Sequence, residues 1–355
     1  MNSNNAVAVV IVTWNGLEHL RVCLPALYQQ SYLDFKIILV DNGSEDGTPD
    51  YVRAEYPEVE LIALPVNQGF AGPNNLGFNK ALADPETRYI VALNNDTKPE
   101  PTYLEELVAC AERHPDAGSV QAKVINFFDP DRLDSTGILI AREMSAINRA
   151  QKEPDDGRYD LEEEIFGPSA SASLYTREAL GRVMLPFGSE RQEYFDSSYF
   201  AYYEDVDLAW RLRLAGFSSY YTPLARVYHV HSATGKNYSP FKAFHIHRNH
   251  FYNIIKNLPL PFLLSMIALV PVRYVLLLCS VFKKQGASAE LSSNVKKGES
   301  GLVKIVIRSW LEVLRNLPHL LRKRKYIQGK RRVSLQEINR WFVEYRADYK
   351  KIIFG

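Results

Sequence analysis

The stretch Ala6–Thr13 (AVAVVIVT) is an unbroken run of apolar, mostly β-branched residues. Such a strand is buried on both faces, as in a parallel sheet covered by helices. Leu17–Gln30 follows, with Leu17, Leu20, Leu24 and Leu27 at helical spacing. Phe35–Val40 (FKIILV) is a second apolar run and ends in the turn cluster Asp41-Asn42-Gly43-Ser44. A third strand is expected over Val59–Leu64, a helix over Ala71–Ala83, and a fourth strand over Tyr89–Leu93, ending at Asn94-Asn95-Asp96. This alternation predicts an α/β fold built on a mostly parallel sheet with flanking helices. Ligands of such sheets bind outside the carboxyl ends of the strands. The polar clusters just named sit at those ends.

Further along, strands are expected near Ser119–Ile125 and Ser169–Tyr175, and a helix over Asp205–Ala215 closed by Gly216. Gln151–Glu164 reads as a solvated acidic loop, and Pro240–Asn257 as another helix. The composition changes after Pro259. Phe262–Phe282 is almost wholly apolar, yet Pro271 and Arg273 stand near its middle. A spanning helix needs roughly 20 apolar residues, and an arginine at mid-bilayer is costly. The segment is therefore read as lying on a membrane rather than crossing it. Lys283–Gly301 is a polar linker, Leu302–Leu321 is amphipathic, and Arg322–Arg332 (RKRKYIQGKRR) is strongly basic. Basic, Trp-bearing amphipathic helices bind anionic membrane surfaces. The alternative is a helical bundle packed on the preceding domain or on a second copy in a homodimer. Two regions are expected: a domain over 1–258 and a helical, membrane-associating or oligomerising region over 259–355.

The chain has 355 residues, 46% of them hydrophobic, which suffices for a substantial core. A net charge of +1 gives no global reason to expect nucleic acid. Cys23, Cys110 and Cys279 form no CxxC pair, which points to a reducing compartment. Met1–Val7 lacks a basic n-region, so no secretory signal is expected.

Several residues are candidates for chemistry. Asp96 at a strand tip can hold a hard cation that also grips a diphosphate, though Asn-Asn-Asp is also a common turn. Asp41 can accept from a ribose hydroxyl or a base N–H, or simply form an Asx-turn. Asn67–Gly77 (NQGFAGPNNLG) opens a helix, where glycines permit close backbone approach and the helix start favours phosphate. Gly77 inside that helix implies close packing. Tyr199–Leu208 (YFAYYEDVDL) sets three acids after four aromatics, a setting that raises carboxyl pKa values and suits a general base. It also suits a plain acidic helix start, with Asp207 and Arg211 as a surface i,i+4 pair. His229 and His231 share one strand face, and either one can join Asp96 at a metal. Arg248 can meet a phosphate.

Together these residues resemble the bacterial inverting glycosyltransferases of family 2, which share the GT-A fold. The likeness is strongest to the rhamnosyltransferase subgroup acting on polyprenyl-linked acceptors. It rests on Val9–Gly16 (VVIVTWNG), Asp41–Thr48 (DNGSEDGT), Asn67–Gly77, Leu93–Thr97 (LNNDT), Tyr202–Gly216 (YYEDVDLAWRLRLAG), and His231–Thr234 with Arg248-Asn249. The resemblance implies that Asp205 is the catalytic base and that Glu204 orients it or the acceptor. Asp96 is then the surviving acid of a DxD-type motif, joined by His229 or His231 around Mg2+ or Mn2+. Thr13, Asn15, Asp41, Asn67, Gly69, Asn75, Asn95 and Arg248 are the candidates for holding a nucleotide diphosphate sugar. Ser169–Ser173 matches the strand lining the acceptor site. The implied donor is dTDP-L-rhamnose, and the implied acceptor a lipid-linked glycan or polysaccharide in cell-surface synthesis. The implied location is peripheral, on the cytoplasmic face of the membrane. A nucleotidyltransferase is the rival enzyme, but Trp14-Asn15-Gly16 replaces its Gly-rich basic loop. A catalytically inactive sugar-binding scaffold is the rival without chemistry.

Overall fold

The β-branched run at Val7–Thr13 becomes β1, an interior strand of the sheet. The structure is a computed structural model and describes residues 6–187, 192–230, 239–283 and 301–354. After β1 come α1 (Leu17–Leu27), β2 (Phe35–Asp41), α2 (Thr48–Glu55), β3 (Glu60–Ala63), α3 (Ala71–Leu82) and β4 (Tyr89–Asn94). Then follow β5 (Thr97–Pro99), α4 (Tyr103–Arg113), β6 (Ala117–Asn126), β7 (Leu133–Ser135), β8 (Ile138–Ile140), β9 (Ala146–Asn148), β10 (Glu163–Ile165), β11 (Ala172–Thr176) and α5 (Arg177–Val183). The remainder is α6 (Glu204–Leu214), β12 (Ser218–His229), α7 (Pro240–Asn257), α8 (Leu260–Phe282), α9 (Leu302–Gly329), α10 (Leu335–Glu344) and α11 (Tyr349–Phe354).

Chain contacts define two compact units. The first comprises Met1–Ile138, Asn148–Ala201 and Phe217–Ala233, and the second Leu139–Ile147, Tyr202–Gly216 and Thr234–Gly355.

The first unit is the sheet, in the order β10-β12-β6-β11-β4-β1-β2-β3, with β5 on β12 and β7 on β6. Strands β4, β1, β2 and β3 run parallel, as do β6 and β12. Strand β11 is inserted antiparallel between β4 and β6. Val7, Val9 and Ile11 bury one face of β1 with Leu20, Leu24 and Leu27 of α1. On α3, a Cβ built at Gly77 would stand 2.3 Å from Val10 Cγ1. That contact explains a glycine inside a helix. The acidic loop is not simply solvated. Lys123, 1% exposed, donates to Asp155 at 2.7 Å and Asp160 at 2.5 Å. A buried ammonium needs anionic partners, and this loop provides them.

The second unit is mostly helical. Residues along α6 are buried nearly all round, with Trp210 against Trp341 and Phe342 of α10. The Asp207–Arg211 pair forms at 2.8 Å, but it is not on a surface: the two side chains are 0% and 2% exposed. Helix α8 runs unbroken through Pro271. Its window Leu260–Leu277 is long and apolar enough to cross a membrane. Met266, Val270 and Arg273 form its buried stripe, and Arg273 Nε donates to Ser145 Oγ at 3.0 Å. Helix α9 continues past Leu321 into the basic tract. There Arg324 donates to Ile255 O at 2.7 Å, and Gln328 to Asn257 O at 2.9 Å. Part of the tract expected at a membrane thus caps the last carbonyls of α7.

Gly77→Ala should lower stability by roughly 1–3 kcal/mol through overpacking, although helix propensity alone favours alanine by about 1 kcal/mol. Urea unfolding with an unchanged slope is the check; a stabilised variant would refute the packing argument.

Candidate functional site

Register brings the carboxyl ends of three strands into line: Thr13 lies opposite Asp41, and Val12 opposite Asn94. Thr13, Asp41, Asn42, Asn95 and Asp96 are all buried there. Asn95 Nδ2 donates to Thr13 Oγ1 at 3.0 Å. The pair packs directly over Gly16, where a Cβ would come within 2.0 Å of Asn95 Nδ2. Only glycine fits at position 16, a constraint that the sequence signals no more strongly than by Asn-Gly after a strand. Asn15 bridges to the next turn, donating its N–H to Ser44 Oγ at 2.9 Å and accepting from Glu45 N at 2.8 Å. Asp41 accepts from Ser44 N through Oδ2 at 3.1 Å, while its Oδ1 is buried with no hydrogen-bond partner. A buried acceptor left unpaired is costly. A ribose hydroxyl or base N–H would relieve it.

The neighbouring loop is organised by Asn42, a residue the sequence did not single out. Its amide donates to Asn67 Oδ1 at 3.1 Å and Gly69 O at 2.8 Å, and accepts from Gln68 N at 2.8 Å. Gly69 has φ +80°, and a Cβ there would stand 2.4 Å from Phe200 O. Asn75 does not join this group. Its Oδ1 accepts from Tyr194 N and Phe195 N, both at 2.9 Å, and its Nδ2 donates to Phe195 O at 2.7 Å.

Asp96 sits one residue before β5, whose antiparallel pairing with β12 sets Thr97 opposite His229. His229 Nε2 lies 3.2 Å from Asp96 Oδ1, and Nδ1 lies 2.6 Å from Asp134 Oδ2. His231 lies outside the described residues. Asp134, on β7, had no signature in the sequence: it is an isolated acid in a short strand. Burial opposes the charged imidazole, but hydrogen bonds and charge from Asp134 and Asp96 overcome that and raise His229 to about 9. Burial likewise opposes the Asp96 carboxylate, yet the His229 hydrogen bond and charge hold it below its ordinary value.

These groups fit a hard cation. Ligand atoms at ~2.1 Å in octahedral geometry stand roughly 3.0 Å apart, close to the 3.2 Å between Asp96 Oδ1 and His229 Nε2. A carboxylate on the far ring nitrogen is the usual way a metal-binding histidine is oriented, and Asp134 supplies it.

In the second unit, Tyr202 and Tyr203 adopt left-handed φ values of 68° and 72° just before α6. Bulky residues rarely accept that conformation. Glu204 and Asp205 form the first turn of the helix, where its dipole favours anions. Glu204 is buried, with Oε2 unpaired. Burial first, then the neighbouring Asp205 charge, push its carboxyl up to about 8. Asp205 is half-buried, and its Oδ1 accepts from Val206 N at 2.8 Å. Arg248 is buried on α7, with Nε donating to Asn249 Oδ1 at 2.9 Å.

Comparison with known proteins gives this geometry a context. Residues 8–184 match the family described as "Glycosyl transferase family 2". The chain is 30% identical over 266 residues to the N-acetylglucosaminyl-diphospho-decaprenol L-rhamnosyltransferase of Mycobacterium tuberculosis, covering 68% of this chain and 81% of that protein. This chain belongs to glycosyltransferase family 2. As a family member it is a glycosyltransferase, and its fold agrees. The crystal structure of S. aureus TarS superposes with a TM-score of 0.52 at 15% identity, over 91% of this chain and 55% of that one. That of GalNAc-T7 with UDP, GalNAc and Mn2+ superposes with a TM-score of 0.54 at 13% identity, over 71% and 48%. The expected GT-A architecture is thereby borne out.

The carboxylate–imidazole–carboxylate contact should make metal-free glycosyltransferase pH-sensitive. Its stabilisation is complete below the ordinary histidine value of 6.5 and is lost as pH rises through about 9. NMR titration of the His229 ring should show the high value, and Asp134→Asn should return it toward 6.5; an unperturbed ring in the wild type would refute the arrangement.

Proposed function

We propose that this glycosyltransferase moves a sugar, with inversion, from a nucleotide diphosphate donor to a hydroxyl of a lipid-linked glycan, with a divalent cation at Asp96. The observation carrying this reading is that the Asp96–His229–Asp134 relay and the unpaired Asp41 Oδ1 both lie at the carboxyl edge of the sheet. Asp96 and His229 Nε2 would hold Mg2+ or Mn2+, and Asp134 would fix the ring. When bound, the cation would neutralise charge on the departing diphosphate. Asp41 would accept from the nucleoside, and Arg248 would meet a phosphate. Asp205 would take the acceptor's proton as its oxygen attacks the anomeric carbon and the bond to the diphosphate breaks. Glu204, neutral below about 8, would donate a hydrogen bond in the same turn.

The mycobacterial relative supports a rhamnosyl donor, dTDP-L-rhamnose, and a polyprenyl diphosphate acceptor. The Mn2+ bound to GalNAc-T7 supports a metal. A lipid acceptor also suits the C-terminal helices, which would dock peripherally on the cytoplasmic face of the membrane. Outside its buried stripe α8 exposes Leu264, Ile267 and Val275, and α9 exposes Val303, Leu311 and Leu314.

Asp205→Asn should lower kcat by roughly 10²–10⁴-fold with folding and nucleotide affinity intact, and EDTA should abolish turnover. Glu204→Gln should keep activity and remove an alkaline limb near pH 8. A fully active Asp205→Asn enzyme, or one indifferent to chelator, would overturn the base or the metal assignment respectively.

Membrane docking is checked by flotation with vesicles containing anionic lipid. The wild type should float and Ile267→Glu/Leu311→Glu should not; a wild-type protein that stays at the bottom refutes docking.

A further inference from the structure

Asp207 is the third acid of the Glu204–Asp207 cluster, and the mechanism leaves it unused. It is fully buried, and donors from two helices converge on it. Arg211 Nε donates at 2.8 Å from its own helix; Lys256 Nζ at 2.7 Å and Asn257 Nδ2 at 2.9 Å donate from the end of α7. Lys256 and Asn257 are themselves 0% exposed. Two helical turns earlier on α7, Asn249 Nδ2 donates to Tyr202 O at 2.7 Å. The α7 end is in turn held by α9 through Gln328 on Asn257 O and Arg324 on Ile255 O.

These bonds bracket a particular stretch. Tyr202 O lies at its start and Asp207 at its end, with Tyr203, Glu204, Asp205 and Val206 between. Tyr202 and Tyr203 are held at left-handed φ, a conformation that persists only where surrounding contacts enforce it. Stability alone does not account for the buried charges, because apolar residues of similar volume often stabilise as well as a buried ion cluster. What the cluster provides is a directional fix on the turn that presents Asp205.

We infer that Asp207, Lys256, Asn257 and Asn249 form a positioning clamp that holds Asp205 in its working orientation. The inference rests on the reading of Asp205 as the base. The clamp residues act through the turn and touch no substrate. A displacement of about 1 Å in a catalytic group lowers rates on the order of 10²-fold.

The test uses the full-length protein and the sugar nucleotide that the wild type hydrolyses fastest among dTDP-, UDP- and GDP-sugars. Asn249→Ala should lower kcat about 10²-fold, leave the donor KM within about twofold, and raise amide exchange over residues 202–206. Asp207→Asn and Lys256→Met should each destabilise the fold. The triple variant Asp207→Leu/Arg211→Leu/Lys256→Met should recover stability, since neither cation of the cluster is then left buried without its carboxylate, but not kcat. Activity recovering along with stability in the triple variant would overturn the clamp, as would wild-type kcat in Asn249→Ala. Asp205→Asn is measured in parallel. If it retains turnover, the base assignment fails; if it is inactive while the clamp variants work normally, the clamp alone fails.

Discussion

A carboxylate taken out of water must be met by donors, and in this glycosyltransferase that requirement decides which distant segments come together. Asp96 lies in the turn between β4 and β5, and its donor, His229, comes from β12. Asp134 completes the relay from a third strand. None of the three is a neighbour in sequence. Their meeting depends on β5 leaving the tip of β4 and pairing antiparallel with the end of β12. Two carboxylates then share one imidazole, and their charge holds its proton more tightly than in water.

The same requirement governs the second unit. Asp207 collects Arg211, Lys256 and Asn257, which ties the acid-bearing helix to α7. Arg324 and Gln328 then tie α7 to the long basic helix. Arg273 shows the principle on an apolar element: it turns away from the exposed flank of α8 to Ser145. The C-terminal region is therefore more than an appendage. It supplies the buried polar contacts that give α6 and α7 their shape.

Burial also separates the two acids at the start of α6. Glu204 is enclosed, and its charged form is disfavoured first by lost solvation and then by Asp205. Asp205 is half-buried at the helix start, where the dipole favours its charge. Adjacent carboxyls thus sit in different surroundings, one enclosed and one half-exposed.

Local pattern carried much of this structure. The β-branched run at Val7–Thr13, the leucine spacing of α1 and the turn residues after β2 and β4 announced a parallel α/β sheet with polar strand ends, because strand period, helix period and turn chemistry are encoded in adjacent residues. Asp41, Asp96 and the Glu204–Asp205 pair stood out as candidates for the same reason. Pairings across long separations were not. Spacing alone could not pair His229 with Asp96 and Asp134, or show that Gly16 lies beneath Asn95 and Thr13. It read Asp207–Arg211 as a surface pair, since i,i+4 spacing reports adjacency on a helix but not which face is buried. It read Gln151–Glu164 as solvated, since nothing in the loop announces the buried ammonium of Lys123. Element identity follows from short-range chemistry, whereas partners and burial are fixed only when the chain closes on itself.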